Sequence, residues 1–374
     1  MGNSPVEGCP SFIYARFVRP KKLQTGNPLP THMPTQSSVI AAAGRWLFPK
    51  KHLNLVFRIG LFIALAVALY FELESRKNLA TLYEVFVQQF STANWILLTT
   101  VLLLMPFNWF FETLKWQPFL RPYEPLSLSR AYYAVLSGIS FALFTPNRMG
   151  EYAGRLLFVR PENHWKSLLV NAVGGVAQYL VLLTGGVLGG LWFARHFLQW
   201  TESDVQTVTT FALLGLGVLY YIFFNIRHVV PIARRIPWLR RLKPYLRDVA
   251  LLEQFRRRDL LVLLLWSAVR YAIYSTQYVL LLHFFSIKAG FWGAYAGVAT
   301  IYLLQTIVPL PAVAGLLVRG NLAVFVWAFF GGNELSSLAA TFILWIINLI
   351  LPALIGTFSL FHVNITKTFG YEDD

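Results

Sequence analysis

Long apolar runs separated by short polar segments dominate the pattern of hydrophobic positions along the chain. A helix needs about 20 mainly apolar residues to cross the hydrocarbon core of a bilayer. The runs do not show the ten-residue alternating pattern of a membrane β-barrel. The pattern therefore predicts an all-α, polytopic integral membrane protein. Its six full spans are predicted at 54–71, 94–111, 166–193, 207–225, 260–285 and 337–362.

Two further apolar segments, 131–160 and 291–331, are interrupted by proline near their middles. If the N-terminus and the basic loop 227–259 are both cytoplasmic, the order of the full spans requires 131–160 to begin and end on the cytoplasmic side. We therefore predict that this segment is a re-entrant hairpin. The second segment, broken at Pro309 and Pro311, begins and ends on the opposite side. Either a re-entrant hairpin or two short spans satisfies that order.

Composition and charge agree with a membrane protein and indicate its orientation. Of the 374 residues, 56% are hydrophobic and 13% are charged, about half the roughly 25% charge of a soluble domain. The net charge is +15, and the segments 1–52 and 227–259 supply 13 of these charges. Basic segments beside apolar runs usually mark the cytoplasmic side of a membrane rather than a nucleic-acid site. No nucleic-acid partner is expected.

The domain organisation follows from these segments. We predict a basic, proline-containing cytoplasmic tail at 1–52, a membrane domain at 53–363 and a short acidic cytoplasmic tail at 364–374. The basic segment 227–259 mixes apolar and cationic residues, which predicts amphipathic pieces at the cytoplasmic lipid surface. A plain solvated loop explains that segment equally well.

Candidate chemistry is concentrated at the first proline break. Thr145-Pro146-Asn147 predicts a helix break, because proline disfavours helix before it and Asn147 can cap the helix that follows. Arg148, Glu151 and Arg155 then share one helix face. An arginine at the bilayer centre costs roughly 2.5–3.5 kcal/mol, so two arginines there need partners or water. This face suits an anionic group such as a lipid phosphate. The alternative is a cytoplasmic loop helix with solvated charges.

Other polar residues interrupt the apolar runs at helical spacing. Most such residues form interhelical hydrogen bonds, whereas a buried guanidinium usually marks a ligand or ion path. Arg270 and Arg319 are therefore candidates for substrate binding. Gln277 lies on the same helix face as Arg270 and Tyr274, and Asn171 and Gln178 are two further polar positions in the apolar runs. We predict that five polar residues have supporting roles at the site, namely Asn108, Glu112, Lys115, Tyr274 and Asn348.

The two broken segments share a short pattern. Each has a proline, a glycine four residues later, and an arginine eight or nine residues after the proline, ending at Arg155 and Arg319 respectively. Segments that enter a membrane from opposite sides with similar sequence are typical of inverted repeats in transporters. No phosphate-binding glycine loop, paired-histidine helix or Gly-x-Ser-x-Gly motif occurs. We therefore expect no cofactor, no metal and no enzymatic activity.

Several of these motifs resemble the flippase-like membrane domain of lysylphosphatidylglycerol synthases, over roughly residues 50–365. The synthases add a cytosolic aminoacyl-transfer domain that this sequence does not contain, so lipid synthesis is not expected. The motifs are Asn108-Trp109 with Glu112 and Lys115-Trp116, the string Thr145-Pro146-Asn147-Arg148-Met149-Gly150-Glu151 with Gly154-Arg155, Arg270-Tyr271 with Gln277-Tyr278, Pro309 to Arg319-Gly320, and Trp345 with Asn348 and Pro352.

The resemblance implies a function in the cytoplasmic membrane of a prokaryote. It implies movement of an anionic or aminoacylated phospholipid, or another lipid-linked phosphate, between leaflets, with the bilayer and this lipid as partners and a homo-oligomer as a possible state. The substrate-binding residues would be Asn147, Arg148, Glu151, Arg155, Arg270, Gln277 and Arg319. Two alternatives remain open. The protein is a membrane enzyme acting on a lipid-linked phosphate, or a non-catalytic partner subunit.

Overall fold

The fold is built from α-helices, with no strand among the residues that the structure describes. The computed structural model describes residues 79–90, 94–143, 145, 149–228, 250–306 and 315–360, and the single positions 60, 63 and 67. The helices are α1 (Leu79–Phe90), α2 (Trp95–Leu120), α3 (Leu128–Ala142), α4 (Gly150–Leu156), α5 (His164–Phe197), α6 (Glu202–Phe224), α7 (Arg257–Phe284), α8 (Phe291–Thr306), α9 (Gly315–Ala328) and α10 (Glu334–Ser359).

Among the described residues, five helices are long and apolar enough to cross a membrane: α2, α5, α6, α7 and α10. They coincide with five of the six predicted spans, which confirms the all-α, polytopic membrane class. The remaining predicted span, 54–71, lies outside the described residues except at three single positions. The predicted tails 1–52 and 364–374 and most of the loop 227–259 also lie outside them.

Two helical boundaries differ from the sequence prediction. The segment 72–93, which joins the predicted spans 54–71 and 94–111, contains the 12-residue helix α1. The span predicted to end at residue 111 continues as α2 to Leu120. The apolar run stops at Glu112, but its carboxylate and the nearby Lys115 ammonium are buried and paired inside the bundle. The helix therefore continues past them without exposing either charge to lipid.

Helices α3 and α4 form an antiparallel hairpin, called the first hairpin below. A Cβ atom added at Gly154 would lie 2.5 Å from the Gly138 Cα, so the two helices touch through their backbones. The Thr145 hydroxyl accepts a hydrogen bond from the Gly150 amide at 2.6 Å and caps the start of α4. Two predicted site residues of this break, Asn147 and Arg148, lie outside the described residues.

The residues just before and just after the first hairpin lie next to each other in space. The Glu124 carboxylate, just before α3, accepts hydrogen bonds from Asn163 Nδ2 at 2.9 Å and from Arg160 Nε at 3.2 Å, both just after α4. The 15 residues of α3 extend about 22 Å, less than the roughly 30 Å hydrocarbon core. This geometry agrees with the predicted hairpin. Its depth in a membrane remains a prediction.

Helices α8 and α9 form the second hairpin. Cβ atoms added at Gly293 and Gly297 would lie 2.7 Å from the rings of Phe330 and Trp327, so the start of α8 packs against the end of α9. Gly290 and Gly331 adopt φ values of +62° and +71° beside these two helix ends, a conformation that a residue with a Cβ rarely adopts. With 16 and 14 residues, both helices are shorter than a full span.

The two hairpins have their bases at opposite ends of α5. Lys166, near the start of α5, lies 4.9 Å above the Tyr123 ring beside the base of the first hairpin. Phe197, at the end of α5, packs on Phe330 at the base of the second hairpin, with ring centroids 4.7 Å apart. The 34 residues of α5 correspond to about 51 Å of helix. The hairpins therefore enter the bundle from opposite sides, as the inverted-repeat hypothesis requires.

Surface labelling tests this arrangement, because the native sequence contains a single cysteine, Cys9, that can be replaced by serine. In sealed vesicles of one orientation, cysteines introduced at Arg121 and Glu162, which flank the first hairpin, should react with a membrane-impermeant maleimide from one face. A cysteine at Lys288, beside the second hairpin, should react only from the other face. Labelling of positions 121 and 162 from opposite faces would show instead that the intervening segment crosses the membrane.

Candidate functional site

A cavity of about 340 Å³ lies between helices of the two hairpins and the long helices. The first hairpin contributes Glu151 and Tyr152 to its wall, and the second contributes Gln305 and Arg319. Helices α2, α5, α7 and α10 complete the wall. Helices from both broken segments therefore line the same cavity.

Glu112 is the centre of a buried ion cluster beside this cavity. Its Oε1 atom lies 2.9 Å from Arg155 Nη2, and its Oε2 atom lies 2.8 Å from Lys115 Nζ and 3.0 Å from Arg270 Nη1. Arg155 also reaches Glu151 Oε2 at 3.4 Å. One carboxylate from α2 thus joins cations from α2, α4 and α7.

Two amide side chains of α5 satisfy further donors of these cations. Arg155 Nη1 donates to Asn171 Oδ1 at 2.7 Å, and Lys115 Nζ donates to Gln178 Oε1 at 3.0 Å. Arg270 Nη1 also approaches Gln178 Oε1 at 3.4 Å. Because buried charges are tolerated only when they are paired and hydrogen-bonded, α5 contributes directly to the stability of the cluster.

A chain of amide hydrogen bonds fixes the orientation of Arg270. Its Nε donates to Asn108 Oδ1 at 3.0 Å, and Asn108 Nδ2 donates to Asn348 Oδ1 at 3.0 Å. Asn348 Nδ2 donates to Gln277 Oε1 at 3.0 Å, and Gln277 Nε2 donates to the Val101 carbonyl at 2.8 Å. Asn348 lies within a π-helical turn, Ile346–Ile350, and such turns are frequent at functional sites.

Aromatic rings cover two of the guanidinium groups. The Arg270 guanidinium lies 4.8 Å from the Trp109 ring centroid, and that of Arg155 lies 5.6 Å from the Trp116 centroid. These contacts add cation–π attraction in a region shielded from water. Among the described side chains of the cluster, Lys115, Arg155 and Arg270 outnumber the two glutamates by one positive charge, and Arg319 adds another on the cavity wall. The site is therefore electropositive.

The structure separates five of the seven predicted substrate-binding residues into two groups. Glu151, Arg270 and Arg319 line the cavity. Arg155 and Gln277, with exposed fractions of 1% and 0%, lie behind its wall and contact lining residues instead. The five residues predicted to be supporting all line the cavity, namely Asn108, Glu112, Lys115, Tyr274 and Asn348.

Several lining residues were not predicted as site residues. Polar and aromatic residues such as these also occur in ordinary contacts between apolar helices, so the sequence alone does not mark them as site residues. They are Tyr152, Tyr179, Gln178 and Gln305. The signal that could have identified Gln178 is its spacing of seven residues from Asn171, which places both amides on one face of α5. In the part of the chain that the structure describes, no group of three or more His, Cys, Asp or Glu side chains could hold a metal ion.

These observations define a polytopic membrane protein with an electropositive cavity between two oppositely directed hairpins. Residues 55–356 match the family described as the Lysylphosphatidylglycerol synthase TM region, and the chain belongs to this family. Membership relates it to membrane proteins of lipid modification and transport. No curated protein and no solved structure matches the chain significantly.

Proposed function

We propose that this protein moves an anionic or aminoacylated phospholipid, or another lipid-linked phosphate, between the leaflets of the cytoplasmic membrane of a prokaryote. The lipid headgroup would pass through the cavity while the acyl chains remain in the bilayer. In this proposal the protein makes and breaks no covalent bond. The observation that carries the proposal is the surplus of buried positive charge on the cavity wall.

The physical argument concerns the barrier to headgroup movement. A charged phosphate in hydrocarbon has a large desolvation cost, which cationic hydrogen-bond donors in a polar cavity reduce. Burying several arginines is itself costly, so they are retained in membrane segments mainly for function. Among the described residues, Arg270 and Arg319 are the guanidinium groups on the wall, and they come from different helices. A phosphate between them would exchange water for charge-assisted hydrogen bonds.

Purified protein in liposomes with a fluorescent short-chain phosphatidylglycerol tests this proposal. Arg270→Gln and Arg319→Gln should each slow leaflet exchange by about 10- to 100-fold, since a hydrogen bond to a charged group contributes roughly 1.5–3 kcal/mol. Exchange is measured by the fraction of fluorophore that external dithionite quenches over time. In Arg270→Gln, Glu112 keeps Lys115 and Arg155 as partners, so the fold should persist.

The control variant is Arg195→Gln, which removes an exposed arginine paired with Glu202 outside the cavity. It should exchange lipid at the wild-type rate. Wild-type exchange in both cavity variants would contradict the proposal. Mass spectrometry of the recovered lipid addresses the alternative of a membrane enzyme, because an enzyme would change the headgroup and a flippase would return it intact.

A further inference from the structure

The cavity presents neutral hydrogen-bonding groups as well as cations. Trp345 is only 2% exposed and lines the cavity, yet its indole Nε1 has no hydrogen-bond acceptor among the described residues. The hydroxyls of Tyr152 and Tyr179 and the side-chain amide of Gln305 also line the cavity. None of these three makes a side-chain hydrogen bond within the part of the chain that the structure describes. These four groups come from helices α4, α5, α8 and α10.

These four groups differ in their hydrogen bonding from three amide side chains on the cavity wall. Asn108, Asn348 and Gln178 are all engaged in hydrogen bonds that hold the ion cluster or its supporting chain. A buried donor without an acceptor costs about 1–3 kcal/mol, so an acceptor that reached the Trp345 indole would relieve this cost. Neutral donors and acceptors on several helices suit a partner that has hydroxyl groups, because a hydroxyl can both donate and accept.

The acidic groups of the site are already occupied by cations of the protein itself. Glu112 contacts three cations within 3.0 Å, and Glu151 is paired with Arg155. A headgroup ammonium would have to compete with these pairs, and it would enter a wall that already has more positive than negative charges. The site therefore favours binding of a phosphate over binding of an amine.

We propose that the preferred substrate is an anionic phospholipid whose headgroup carries free hydroxyls, as a glycerol or sugar does, rather than an amine. This inference rests on the proposed leaflet exchange and narrows its substrate class. The phosphate contacts Arg270 and Arg319, and the headgroup hydroxyls contact Tyr152 and Tyr179. Aromatic rings also provide flat apolar faces on which the carbon skeleton of a polyol can pack.

Three lipids with the same acyl chains and fluorophore test the preference in liposomes. Phosphatidylglycerol and phosphatidylmethanol carry the same phosphodiester charge but differ in headgroup hydroxyls. Lysyl-phosphatidylglycerol has one of its glycerol hydroxyls esterified and carries two amines. Phosphatidylglycerol should exchange about 3- to 10-fold faster than phosphatidylmethanol, the effect expected for one or two neutral hydrogen bonds. It should also exchange faster than lysyl-phosphatidylglycerol.

A double variant assigns the preference to the tyrosine hydroxyls. Tyr152→Phe with Tyr179→Phe removes only two oxygen atoms, so phosphatidylglycerol exchange should fall towards the phosphatidylmethanol rate, which itself should not change. Tyr221→Phe is the control, because Tyr221 is 71% exposed on α6 and does not line the cavity.

The outcomes separate this inference from the function on which it rests. Equal exchange of phosphatidylglycerol and phosphatidylmethanol, or fastest exchange of lysyl-phosphatidylglycerol, overturns the hydroxyl preference and leaves leaflet exchange intact. Exchange of none of the three lipids by the wild-type protein overturns the proposed function itself. A loss of exchange for both phosphatidylglycerol and phosphatidylmethanol in the double variant would show that the tyrosines serve the fold rather than the headgroup.

Discussion

Replacing Glu112 by glutamine is expected to destabilise the protein more than any other single change of charge in the described bundle. The substitution leaves Lys115, Arg155 and Arg270 buried around a neutral amide, although all three lie within 3.0 Å of the native carboxylate. Breaking a buried ion pair by removing one partner costs about 3–5 kcal/mol. The cost should show as a lower denaturation midpoint in detergent and a smaller monodisperse fraction after heating.

Two comparisons make this prediction specific. Glu202→Gln removes a glutamate that lies 2.8 Å from Arg195, and both side chains of this pair are exposed. The substitution should therefore lower the free energy of unfolding by no more than about 1 kcal/mol. Adding Lys115→Met to Glu112→Gln removes one of the uncompensated cations and should recover part of the lost stability. If Glu112→Gln unfolds at the same midpoint as Glu202→Gln, the carboxylate is not what holds the cluster together.

The sequence contains enough information to predict the long helices and the hairpin breaks. The apolar runs of α2, α5, α6, α7 and α10 exceed the length that a bilayer requires, so their pattern is visible without tertiary structure. The same-side ends of the first hairpin followed from the order of the spans. The second hairpin could not be distinguished from two short spans, because both choices give the same order along the chain.

The organisation of the site was harder to predict, because it depends on contacts between distant positions. Glu112 and Lys115 are three residues apart on one helix, so their pairing is a local property. The contacts of Glu112 with Arg155 and Arg270 join three helices and need the packed bundle. Sequence spacing therefore predicted Glu112 as a supporting residue, whereas the structure places it at the centre of the cluster.

The role of Arg155 shows the same limit of helical spacing. Arg155 lies on the same helix as Glu151 and was predicted to contact substrate. The structure turns its guanidinium towards Glu112 and Asn171, behind the cavity wall. Spacing along a helix identifies which residues share a face, but the neighbouring helices decide whether that face borders a cavity or a packed interior.

A single methyl group at Gly154 is expected to separate the two helices of the first hairpin. The added Cβ would lie 2.5 Å from Gly138 Cα and 2.6 Å from the Ser137 carbonyl oxygen, and backbone atoms cannot move aside as a flexible side chain can. Overpacking of this kind costs about 1–3 kcal/mol, occasionally more. Because α4 carries Glu151 and Arg155, its displacement should disturb the cavity wall and the ion cluster together. Gly154→Ala should therefore lower both the denaturation midpoint and lipid exchange.

The chain offers a matched control on another helix. Gly217 lies in α6, where an added Cβ would meet no atom within 4 Å, and alanine in a helix is favoured over glycine by roughly 0.5–1 kcal/mol. Gly217→Ala should thus be neutral or slightly stabilising. Gly138→Ala provides an independent repeat from the other side of the contact, since its Cβ would lie 2.7 Å from the Glu151 carbonyl oxygen. If Gly154→Ala and Gly138→Ala both behave like Gly217→Ala, the hairpin is not held by close backbone contact. Another element must then position Glu151 at the cavity.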